Sequence, residues 1–157
     1  MTLPTTQAVH ATFTIEREYP HAPSKVFRAF ADGPTKRRWF AEGDGFTCEE
    51  FASDFREGGT ELLSFRAPDG STGRNDTVYM DIVTDERIVL AYTMMYNGAR
   101  ISCSLLTIAL ASSARGTTLT LTEQGMYFPN SDGPVGREHG TRELLEALAR
   151  DLASFAL

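Results

Sequence analysis

The sequence predicts an α+β domain: a curved antiparallel β-sheet of about seven strands wrapped around a long C-terminal helix, with two short helices after the first strand. Three observations predict it. Near the N-terminus, apolar and polar residues alternate as in a half-buried strand. From Phe46 to Met126, short alternating runs are separated by turn residues. The last segment changes to a helical period. A sheet with one apolar face and an amphipathic helix with one apolar stripe must each cover the other.

Taken in order, Phe13, Ile15 and Arg17 alternate with Thr12, Thr14 and Glu16, and Pro20 ends this first strand. Pro23 sits where a first helical turn tolerates proline, and Val26, Phe27 and Phe30 follow at helical spacing. Gly33-Pro34 interrupts that helix, and Thr35 to Phe40 forms the second. Six strands are then expected, over Phe46 to Arg56, Thr60 to Arg66, Arg74 to Thr84, Arg87 to Tyr96, Arg100 to Ala111 and Thr117 to Met126. The turns between them are marked by Gly58-Gly59, Pro68-Asp69-Gly70, Asp85-Glu86, Asn97-Gly98 and Arg115-Gly116. Asn97-Gly98 is the strongest of these signals, because a type I′ hairpin needs positive φ at both central positions. In the final segment Leu144, Leu145, Leu148, Leu152 and Phe155 fall on one helical face. Residues 1–10 are expected to be a tail and residues 11–157 a single domain.

The chain of 157 residues is long enough for one core without disulfide or metal support. Its 41% hydrophobic and 23% charged residues are ordinary for a globular protein and predict neither disorder nor a membrane span. A formal net charge of -6 disfavours nucleic-acid binding, which rests on a concentrated positive field. The short basic run Lys36-Arg37-Arg38 reads as a solvated helix end. Cys48 and Cys103 lack metal-ligand spacing and suit free thiols in a reducing compartment. Met1 to Ala11 has neither a basic nor an apolar leader-like stretch, so a cytoplasmic location is expected. No zinc spacing, nucleophile elbow, P-loop or dinucleotide fingerprint is present, and no metal is expected.

Four stretches resemble a known family. They are Ala22-Pro23-Ser24-Lys25-Val26-Phe27 continuing to Trp39, Asp54-Phe55-Arg56-Glu57-Gly58-Gly59, Glu86-Arg87-Ile88-Val89, and Gly116 to Gly125. In this order they are similar to the family named after the activator of the ninety-kilodalton heat-shock protein ATPase, within the SRPBCC or START-like superfamily. The resemblance implies a helix-grip fold with a deep ligand cavity and no metal or organic cofactor. It does not imply one reaction, since a shared fold hosts binding proteins, cyclases and co-chaperone modules. Where the family commonly carries Gly-Trp at the start of the last helix's apolar face, this chain has Gly140-Thr141, which should enlarge or re-aim the cavity mouth. The eukaryotic activators also carry an additional domain for which 157 residues leave no room, which weighs against a co-chaperone role.

Strand parity puts Phe51, Ser53 and Phe55 on one face, and likewise Glu61, Leu63 and Phe65, then Leu90, Tyr92 and Met94, then Leu119, Leu121 and Glu123. Periodicity alone does not separate a lined cavity from a packed core; the cavity follows from the resemblance. Trp39, Phe51, Phe55, Phe65, Met80 and Met94 are the expected apolar contacts, with Leu145 on the helix. Tyr92, Glu123, Arg137 and Thr141 are expected to orient a ligand, with Glu61 beside them. Glu61 and Glu123 interrupt apolar faces, where each could move a proton or be satisfied by solvent, Arg56 or Arg137; the structural reading is preferred. His139 falls opposite the leucine stripe and is read as solvent-facing, and Cys103 as an inert thiol.

The expectation is a module binding a hydrophobic or aromatic small molecule between sheet and helix. The alternatives are a cyclase or dehydratase using a cavity carboxylate, and an interaction module stimulating a chaperone ATPase. A sheet edge or helix could also pair two copies as a homodimer, though no residue specifies the contact.

Overall fold

The structure is a computed structural model that describes residues 7–43 and 45–155. Its first strand, β1 (Val9–Tyr19), is followed by α1 (Pro23–Ala31) and α2 (Gly33–Lys36), and α2 runs into a single π-helical turn at Arg37–Ala41. Strands β2 (Thr47–Ser53), β3 (Thr60–Arg66), β4 (Thr72–Val83), β5 (Arg87–Tyr96), β6 (Ala99–Ser113) and β7 (Gly116–Tyr127) precede the long helix α3 (Gly133–Ser154). All seven strands form one antiparallel sheet in the order β1-β7-β6-β5-β4-β3-β2. The meander predicted from the turn residues is thus observed, and the N-terminal strand closes it beside β7. Asn97 and Gly98 have φ of 49° and 81°, as the hairpin reading required.

Local chemistry explains the helix boundaries. Pro23 opens α1, whose Val26, Phe27, Ala29 and Phe30 are buried. Asp32 caps α2 by accepting from the Thr35 amide at 3.1 Å and its hydroxyl at 2.6 Å, which holds the Asp32 carboxyl below its usual range. In α3 the buried residues Arg137, Thr141, Leu145, Leu148 and Leu152 recur every three or four positions. That stripe is polar at its N-terminal end and apolar at its C-terminal end. Phe155, expected to continue it, lies beyond the helix in extended backbone and is exposed, with the Arg38 guanidinium 4.1 Å from its ring centroid.

The apolar end of α3 packs against β1, β7, α1 and the π turn. Ile15, Leu119, Leu121, Leu145, Leu148, Leu152, Val26 and Trp39 belong to one continuous core. Polar ties anchor it: the Tyr19 hydroxyl donates to the Leu145 carbonyl at 3.0 Å, Lys25 Nζ to that of Leu152 at 2.7 Å, and Arg38 to both Asp151 oxygens. The lysine sits where the helix C-terminus presents free carbonyls and partial negative charge.

Candidate functional site

The concave face of the sheet is covered unevenly. On β1, β6 and β7 the inward residues Phe13, Ile15, Ile108, Leu119 and Leu121 are buried. On β2 to β5 the inward residues Phe51, Phe65, Asn75, Tyr92 and Met94 are only half-buried, and α3 packs mainly elsewhere. On this side the inner face is covered less completely, and a patch remains in which Phe51, Phe65, Asn75, Tyr92 and Met94 are partly exposed around the buried Glu61, Leu63 and Thr77.

Two register rows cross the patch. One runs Phe51, Leu63, Asn75, Met94, Ser102, and is apolar except for Asn75 and the terminal serine. The next runs Ser53, Glu61, Thr77, Tyr92, Ser104 and is polar throughout. The Asn75 Oδ1 and Ser53 Oγ atoms are buried without a hydrogen-bond partner among the described residues. Glycine lets large rings lie flat on this face, for a Cβ at Gly73 would sit 2.1 Å from the Phe65 ring and one at Gly125 2.7 Å from the Tyr127 hydroxyl.

A buried ion pair stands at each side of the patch. At β3 and β4, Lys36 Nζ donates to both Glu61 oxygens, at 3.0 and 2.8 Å, and to the Tyr79 hydroxyl at 3.3 Å, while Tyr79 donates to Glu61 at 2.7 Å. Both charged residues are at most 4% exposed. Burial works against the lysine charge, but Glu61 and Tyr79 more than offset it, and the Lys36 pKa stands above its ordinary value. Burial also pushes the Tyr79 phenol up. At β5 to β7, Glu123 accepts from Tyr92 through both oxygens, at 3.0 and 2.9 Å, from Ser104 at 2.8 Å, and from Tyr127 and Arg137 at 3.4 Å. Arg137 reaches further, to the Tyr92 hydroxyl at 2.8 Å, Ser102 at 2.8 Å and both oxygens of Asp132. Burial and the Glu123 charge raise the Tyr92 phenol strongly and push Tyr127 up to about 12. Against the cost of its burial, Tyr92, Asp132 and Glu123 hold the Arg137 pKa above its ordinary value.

The structure brings Tyr92, Glu123 and Arg137 into one hydrogen-bonded cluster, with Phe51, Phe65 and Met94 on the neighbouring surface. Glu61 joins the other ion pair, and its partner is Lys36; Arg56 turns outward to Asp54. The basic run is thus not a solvated helix end at Lys36, because the helix that carries it docks on the sheet. Met80 is corrected too: it is 56% exposed on the outer face, since Thr77 and Tyr79 set the inward parity and a bulge between Tyr79 and Asp81 restores inward direction only at Ile82. Trp39 is a core residue whose indole donates to the Ala29 carbonyl, and Phe55 is partly buried against the core, meeting the Phe27 and Tyr79 rings edge to face. Thr141 is buried beside Arg137, whose carbonyl accepts its hydroxyl, and Leu145 lies in the core. His139 is solvent-exposed and pairs with Glu143. Tyr127, Ser102, Ser104 and Asn75 were legible from parity as inward residues; Lys36 and Asp132 had no signal short of tertiary contact.

Two depressions, of about 590 and 280 Å³, lie elsewhere. By parity the larger runs across the outer face between the rows Leu62, Asp76, Thr93, Cys103 and Thr60, Val78, Ala91, with strand backbone as its floor. The smaller continues it past Arg74 to Met95. Among the described residues no cluster of three or more His, Cys, Asp or Glu side chains could hold a metal ion, and no helix is long and apolar enough to cross a membrane.

A curved antiparallel sheet around a C-terminal helix, with two short helices after its first strand, defines a helix-grip or START-like domain, a fold of ligand-binding type. The chain belongs to the family described as Activator of Hsp90 ATPase homolog 1-like protein, whose model matches residues 20–153. A solved protein from Rhizobium loti is 50% identical, with a TM-score of 0.85 over 92% of this chain and 99% of its own. One from Rhizobium leguminosarum is 36% identical, with a TM-score of 0.90 over 95% and 98%. An AHSA1-like protein from Aeromonas hydrophila, at 19% identity and a TM-score of 0.71 over 92% and 93%, shares the fold. No curated protein matches the sequence.

Proposed function

We propose that this protein is a small-molecule-binding module whose ligand lies on the open inner patch of β2 to β5, beside the N-terminal half of α3. The observation that carries this reading is the partial exposure of Phe51, Phe65, Tyr92 and Met94 on the inner face, where Phe13, Ile15, Ile108, Leu119 and Leu121 are sealed. A mostly apolar surface with a few placed polar atoms is the usual make-up of a small-molecule site. Phe51, Phe65 and Met94 supply apolar contact to a hydrophobic or aromatic body, and the Tyr92, Glu123, Arg137 cluster forms the polar wall. The free thiols Cys48 and Cys103 favour a cytoplasmic setting.

The carboxylates weigh against proton-transfer chemistry. Glu61 and Glu123 are each held by several donors, so neither stands free to take a proton from a ligand. Native mass spectrometry of the freshly purified protein, followed by denaturing extraction, tests the binding reading. A reproducible adduct that is lost in a Phe51→Asp, Met94→Asp variant is the expected result. An adduct that persists undiminished in that variant places the ligand elsewhere, on the outer face, and refutes the reading.

A further inference from the structure

Most polar side chains around the patch are spent on one another. Tyr92, Ser104 and Arg137 direct donors into Glu123, and Lys36 and Tyr79 into Glu61. Asn75 on β4 differs from them. It stands in the apolar stretch of its register row, between Leu63 on β3 and Met94 on β5. The residue is partly exposed while its Oδ1 is buried, so the polar surface that it offers the patch is the Nδ2 amino group, which has no partner among the described residues. A carboxamide nitrogen carries two N–H donors.

A ligand whose apolar body lies on Phe51 and Met94 covers this amino group and strips water from it. A hydrocarbon gives nothing back, and the covered donor is left unsatisfied; a carbonyl oxygen in reach of Nδ2 replaces the lost water. Resting on the binding reading above, we infer that Asn75 anchors the ligand by donating from Nδ2, so that the patch takes an aromatic or aliphatic molecule carrying a carbonyl acceptor, such as a ketone or an ester. Asn75 then sets which point of the ligand faces β4, while Phe51, Phe65 and Met94 hold its body.

Two probes of one shape carry the test: 2-acetylnaphthalene, whose carbonyl accepts a hydrogen bond, and 2-isopropenylnaphthalene, in which a methylene group replaces that oxygen. Each is dialysed at a fixed low concentration against increasing amounts of the intact protein. The alkene is the more hydrophobic, so the quantity read is the ketone-to-alkene affinity ratio, in the parent and in Asn75→Leu. The ratio should fall about tenfold in the variant, the worth of one good hydrogen bond, with the alkene bound at least as well as by the parent. A second reading needs no variant: in amide NMR spectra of the parent, the ketone should move the Asn75 side-chain amide resonances downfield and the alkene should not. An unchanged ratio in Asn75→Leu, or Asn75 amide resonances that respond alike to both probes, overturns the anchoring while leaving the patch as a binding site. If the parent protein retains neither probe, the patch itself fails as a site and the preference for an acceptor with it.

Discussion

Two clusters flank the open patch, and they are made of the same three groups: a helix cation, a strand carboxylate and a tyrosine hydroxyl. Lys36, Glu61 and Tyr79 form a closed set in which every charged donor and acceptor is consumed within the trio. Arg137, Glu123 and Tyr92 open outward, recruiting Ser102, Ser104 and Tyr127 from the sheet and the partly exposed Asp132 ahead of α3. The difference follows from the cations. A compact ammonium can satisfy one carboxylate and one phenol, whereas a planar guanidinium with five donors has to be shared among several elements. The first cluster pins α2 and the π turn to β3 and β4; the second ties the start of α3 to β5, β6 and β7.

The closed cluster should be the more fragile. Lys36→Met strands the Glu61 carboxylate at 4% exposure with only the Tyr79 hydroxyl left to it, and breaking such a buried pair costs about 3–5 kcal/mol. Urea unfolding reads this directly. The double variant Lys36→Met, Glu61→Leu should regain most of the loss, because no charge is then left unpaired. If the single variant unfolds within about 1 kcal/mol of the parent, water reaches Glu61 and the cluster is not closed.

The shared cluster should be more tolerant. After Arg137→Met, Glu123 still accepts from Tyr92, Ser104 and Tyr127, and Asp132 returns to solvent. The expected cost is about 2 kcal/mol, less than that of the lysine variant. A cost equal to that of Lys36→Met would remove the distinction between the clusters.

Alkali should act on both. The pKa values of Lys36, Tyr79, Tyr92 and Tyr127 are raised in the folded protein, so the native state holds these protons more tightly than the unfolded chain does. Their contribution is whole below the ordinary values of 10.0 for tyrosine and 10.5 for lysine and is lost as pH climbs through the folded ones. The urea midpoint should therefore fall steadily from pH 10 toward 12, and Tyr92→Phe should fall less steeply than the parent. An identical slope in that variant would mean that its phenol is not enclosed by the second cluster.

How much of this was legible in the sequence follows from range of contact. Strand parity and turn chemistry are local, so the seven strands, the Asn97-Gly98 hairpin and the inward direction of Glu61, Tyr92 and Glu123 could be read without a structure. Arg137 could be read as well, because its helical face is set by residues a few positions away. The partner of Glu61 could not. Lys36 lies 25 residues upstream in a run of three basic residues that looks solvated, and only docking of α2 on the sheet buries it. Openness was equally illegible, since Phe51 and Ile15 obey the same alternation while one is half-buried and the other sealed.

The smallest expected effect comes from the residue whose direction was misread. Had Met80 pointed into the patch, Met80→Ser would remove a large apolar contact and weaken any ligand held there. It instead stands 56% exposed on the outer face, on the strand that also carries Thr77 and Tyr79 inward. Its substitution should change stability by no more than about 0.5 kcal/mol, as at other surface positions. The mass-spectrometric occupancy of the inner patch should not change. Loss of ligand in Met80→Ser with stability intact would move the binding site to the outer groove, beside Val78 and Ala91, and exchange the roles of the two faces of the sheet.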